Sequence, residues 1–82
     1  MAASLASIRG WVTQAKQNPD YTHVIVVCDT YDWEDYPVNV EKAETVQERV
    51  AYYSKNMQRV MEVYNLSLDL ESQFREHRAM NF

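Results

Sequence analysis

The sequence predicts an α+β fold in the order α-β-β-α: an N-terminal helix, a two-stranded antiparallel hairpin and a long C-terminal helix. Three observations lead there. Apolar residues recur at helical spacing over residues 5–17 and again over residues 46–78. Between them Val24–Cys28 is apolar without a break, which is how a strand covered on both faces reads. One glycine and two prolines in 82 residues leave few turn signals, which favours few and long elements.

The first helix carries Leu5, Ile8, Val12 and Ala15 on one face, with Ser4 placed to cap it. Asn18-Pro19-Asp20 ends it, since proline cannot continue the hydrogen-bond ladder. The first strand is expected at residues 22–29 and the second at 36–40. Pro37 marks the second as an edge strand, because proline has no N–H to give a neighbour on both sides. A lone hairpin is marginal in water. Either helices cover both of its faces, or strands of a second copy extend the sheet.

Thr45 and Glu48 have the spacing of a capping box. Beyond them Val46, Val50, Tyr53, Met57, Val60, Tyr64 and Leu68 form a helical stripe, widened by Val63, Leu66, Leu70 and Phe74. A helix over residues 46–78 would be about 50 Å long, whereas a domain of this size is about 30 Å across. Its far half must overhang, break near Asn65 or pack on another molecule; the distal stripe of Leu66, Leu70 and Phe74 is expected to be an interface in a homo-oligomer, even-numbered with two-fold contacts.

The chain reads as one domain spanning residues 1–82. A net charge of −4 is the wrong sign for a general nucleic-acid binder. No apolar run approaches the ~20 residues that span a bilayer. The lone Cys28 gives no disulfide framework, and it reads as a small core residue of a protein in the cytoplasm.

Four carboxylates fall within Asp29–Asp35, but without EF-hand spacing or glycine, so no metal is expected. His23 and Cys28 lie five apart on a strand and face opposite sides, so they do not form a nucleophile–base pair. His77, Arg75 and Arg78 near the end of the long helix suit its dipole. These readings favour a non-enzymatic protein without cofactors; an enzyme of another type is the remaining alternative.

Tyr31, Trp33 and Tyr36 are interleaved with acids, a pattern enriched at binding surfaces because aromatics give large contact at small entropic cost. On the predicted helix, Tyr52, Asn56 and Arg59 share a face that would hold a nucleotide's base and phosphate. Arg59, Arg75 and Arg78 would supply positive charge to such a ligand.

The runs HVIVVCDTYDWEDYPV and KNMQRVMEVYNL resemble small uncharacterised proteins encoded by bacteriophages, a similarity covering Thr22–Phe82. The resemblance implies a phage or prophage accessory protein working in the host cytoplasm. Such proteins often act by binding. The expectation is an anti-defence protein that sequesters a small anionic, nucleotide-type signal. The alternative is an inhibitor that meets a host or defence protein through its acidic-aromatic loop.

Overall fold

Ser4 begins the first helix as its sequence requires. In the computed structural model, which describes residues 4–55, 57–76 and 78–82, α1 spans Leu5–Lys16. The Ser4 hydroxyl accepts from the Ser7 N–H at 3.2 Å. Ile8, Val12 and Ala15 are buried along one face. Strand β1 (Tyr21–Asp29) and strand β2 (Glu34–Glu41) then form the expected antiparallel hairpin, with Ile25 opposite Val38 and Val27 opposite Tyr36.

The long helix over residues 46–78 does not form. In its place stand α2 (Val46–Tyr52), a third strand β3 (Gln58–Asn65) and α3 (Leu70–Phe74). Strand β3 pairs antiparallel with the free side of β1. The two-stranded hairpin is thus corrected to a three-stranded sheet of order β2-β1-β3, completed within one chain.

Valine and tyrosine are strand formers, and β3 contains Val60, Val63 and Tyr64. Its apolar spacing looks helical because of a bulge. Val27 pairs with Val60 but Val26 pairs with Glu62, so one extra residue enters β3 at Met61. Val60 and Val63 therefore share a face at a separation of three, the interval a helix would give.

The central strand is buried on both sides, as its unbroken apolar run predicts. Val24 and Val26 join Ile8, Val12, Tyr64, Leu66 and Phe74 beneath α1 and α3. Ile25 and Val27 join Val38, Val40, Val60, Val63 and Val46 beneath α2. Leu66 and Phe74, expected at an oligomer interface, are only 3 % and 8 % exposed in the first of these cores, and Leu70 packs against it. The molecule measures 32 × 27 × 19 Å, so the overhanging helix that called for a partner is absent.

The outer edge of β3 is closed by the chain's own C-terminal segment. The Val63 N–H donates to the Ala79 carbonyl at 2.8 Å, and the Asn81 N–H donates to the Val63 carbonyl at 3.0 Å. Arg78 donates from Nε to the Met61 carbonyl and from Nη2 to the Val60 carbonyl, at 2.9 and 3.0 Å. These carbonyls flank the bulge at Met61. Among the described residues no helix is long and apolar enough to cross a membrane.

Candidate functional site

Two turns meet at the end of the sheet where β1 finishes. One is the four-residue loop 30–33 between β1 and β2, and the other is the connection from α2 into β3, which reaches the strand at Met57. Thr30 joins them, donating both its N–H and its hydroxyl to the Met57 carbonyl, each at 2.8 Å. Asp29 shapes the first turn. Its Oδ1 accepts from the Tyr31 N–H at 2.8 Å, and its carbonyl accepts from the Trp33 N–H. Each turn needs a left-handed residue, and the sequence supplies no glycine for it. Trp33 adopts φ 57° and Met57 adopts φ 65°, conformations that cost a non-glycine residue roughly 1–2 kcal/mol.

Four large apolar side chains are exposed on this tip. Tyr31 is 75 % exposed, and Trp33, Tyr52 and Met57 lie between 57 % and 59 %. Around them lie the carboxylates Asp29, Asp32, Glu34 and Asp35, against the cations Lys55 and Arg59. Among the described residues no three His, Cys, Asp or Glu side chains converge as metal ligands would.

The sequence-predicted residues are partly united here. Tyr36 stands on β2 facing α2, and its hydroxyl accepts from the Gln58 side-chain amide across the intervening β1. Burial pushes that hydroxyl's pKa up, reinforced by Tyr53 and Asp29. Tyr52 ends α2, edge-on to Tyr53 with centroids 5.0 Å apart. Arg59 is exposed on β3, opposite Cys28. Tyr52 and Arg59 thus sit on separate elements, and the helix face they were expected to share with Asn56 does not exist; Asn56 and His77 lie outside the described residues.

Arg75 and Arg78 are not part of the tip. Arg75 caps α3, which packs at the Asn65 end of β3, and Arg78 is engaged in closing the sheet edge. Cys28 is buried beside this site. Burial pushes its thiol pKa up, and the Asp35 carboxyl adds to the shift, so at neutral pH it is a protonated core residue rather than a nucleophile.

Sequence reasoning missed Met57, because the stripe placed it inside a helix. The available signal was weak: Ser54-Lys55-Asn56 is a short polar run in which serine and asparagine favour turns over helix interiors. Set against protein-family models, curated proteins and solved structures, the chain matches none.

Proposed function

We propose that this protein is a non-enzymatic binding protein whose acidic-aromatic tip docks on a basic surface of a protein partner. The observation that carries the reading is the exposure of Tyr31, Trp33 and Met57 on two turns hydrogen-bonded to each other, with Tyr52 exposed at the end of α2 beside them. Large apolar side chains grouped in exposed positions and rimmed by polar residues mark interaction sites. Tyrosine and tryptophan are also the residues that dominate binding energy at protein interfaces. The carboxylate rim selects a partner of opposite charge and steers its approach.

Tyr31, Trp33, Tyr52 and Met57 are all more than half exposed, and this favours a protein surface over sequestration of a small anion. Four carboxylates within seven residues would also repel an anionic ligand. The resemblance of Thr22–Phe82 to phage-encoded accessory proteins supports a host or defence protein as the partner.

Capture from bacterial lysate on the immobilised protein, followed by identification of what is bound, supplies the binding assay. Trp33→Ala and Tyr31→Ala are each expected to weaken that complex by about 2 kcal/mol, roughly 30-fold. The melting temperature should stay within a few degrees, because neither ring is buried in a core. Binding should weaken as salt is raised. Undiminished capture by both variants would move the site elsewhere, and a large fall in melting temperature would reassign the rings to folding.

A further inference from the structure

We infer a second binding surface, independent of the tip: the outer edge of β2 accepts an extended, positively charged segment of another protein as a fourth strand. The argument begins with where the backbone groups of the sheet point. Thr30 donates its N–H to the Met57 carbonyl, and the Thr22 carbonyl accepts from the Leu66 N–H. The even-numbered residues of β1 therefore exchange hydrogen bonds with β3. By the alternation of antiparallel pairing, its odd-numbered residues from His23 to Asp29, beyond the register shift after Tyr21, exchange them with β2.

Their partners in β2 are Glu34, Tyr36, Val38 and Val40. Pro37 and Asn39 lie opposite Val26 and Val24, and their backbone groups face outward. This is the one arrangement that spares Pro37 a missing ladder bond. It leaves the Asn39 N–H and the carbonyls of Pro37 and Asn39 directed at the open edge. Among the described residues no strand pairs there, whereas the β3 edge is closed by Gln73, Arg78, Ala79 and Asn81.

Beside this edge runs a groove of about 370 Å³ between α1 and β2, lined by Trp11, Gln14, Tyr21, Pro37 and Asn39 among others. α1 lies over β1 and the α1-side core, so the α1-facing side of β2 is left without a roof. An incoming strand residue paired with Asn39 would direct its side chain to that same face. The groove would receive one large apolar or aromatic side chain, flanked by the side-chain amides of Gln14 and Asn39.

Charge decides the occupant. Residues 29–44 hold six carboxylates and a single cation, Lys42, and that cation is paired with Asp20 at 3.4 Å. A second copy of this chain fits poorly. In the two longest two-fold antiparallel registers, either Pro37 faces Pro37 and the central rung has no donor, or Asp35 faces Glu41. Like charges directly opposite are destabilising. A segment rich in lysine or arginine with a large apolar residue at alternate positions satisfies both the edge and the groove.

The test is selection of a displayed library of random linear peptides on the wild-type protein, followed by measurements with the enriched peptide made synthetically. Net-basic peptides carrying an aromatic or large aliphatic residue should be enriched, and binding should slow hydrogen exchange of the Asn39 amide. Asn39→Pro removes the outward N–H without touching a ladder bond, and should weaken binding at least tenfold. Trp33→Ala should leave it unchanged, which separates this surface from the tip. The inference is overturned by no enrichment, by acidic or neutral consensus peptides, by unaltered binding to Asn39→Pro, or by an unprotected Asn39 amide. Should Asn39→Pro melt early, protection of the Asn39 amide in the wild type decides alone. A wild-type dimer that Asn39→Pro dissociates would give the edge to a second copy and overturn it as well.

Discussion

Gln73 is 2 % exposed, a polar side chain almost wholly buried. Its amide behaves as a rung of backbone. Oε1 accepts from the Asn65 N–H at 2.7 Å and from Asn81 Nδ2 at 3.1 Å, while Nε2 donates to the Asn65 carbonyl at 2.9 Å. Two outward groups of the β3 edge and one side chain of the C-terminal segment thus depend on it. Gln73→Leu keeps the volume but strands both backbone groups of Asn65. Each unsatisfied buried group costs about 1–3 kcal/mol, so a loss of about 2–4 kcal/mol is expected in urea unfolding. A melting-temperature drop of less than about 4 °C would show that water replaces the amide without penalty. Nothing in the sequence singled out Gln73, since a glutamine in a polar stretch is ordinarily a surface residue. Cys28 was legible, because a small thiol inside an apolar run has few other places to be.

Elements were legible where their punctuation was conventional. Ser4 opens α1, Asn18-Pro19 closes it, and both edges of the hairpin fall within about four residues of where polarity changes. The C-terminal half was not, for two separable reasons. The bulge at Met61 converts a strand's interval of two into a helix-like three. The turns flanking β3 also lack glycine and proline, the residues by which turns are usually read. Met57 takes the left-handed position that glycine would normally fill. That substitution has a predictable reversal. Met57 is 59 % exposed, so Met57→Gly loses no core contact and relieves roughly 1 kcal/mol of backbone strain. Its melting temperature should rise by a few degrees, while partner binding at the tip weakens through loss of the side chain. A fall in stability would mean that the methionine packs well enough to offset its own backbone.

For the whole molecule, both the α+β class and the double-sided burial of β1 follow from the sequence, but the count of strands does not. Two strands and an overhanging helix implied that a second copy was needed to finish the structure. A third strand from the same chain removes that need, and the distal apolar residues turn inward to the α1-side core. Of the residues singled out in the sequence, Tyr31, Trp33, Tyr52 and Arg59 reach one end of the sheet, while Arg78 closes the edge of β3 and Arg75 ends α3.

Phe74 separates the two views of the molecule most sharply. As an interface residue on an overhanging helix, it would tolerate a charge, and Phe74→Asp would release folded subunits. In the observed fold its ring lies 5.5 Å from that of Tyr64, beneath the Arg9 guanidinium at 4.6 Å. Removing a buried phenylalanine costs about 3–5 kcal/mol before any charge is buried. Stability at the low end of the 5–15 kcal/mol range for small domains leaves little after that loss. Phe74→Asp is therefore expected to unfold at or near room temperature, with loss of the cooperative melt by circular dichroism. A variant that keeps the wild-type melt and elutes as a smaller particle would return Phe74 to a subunit interface.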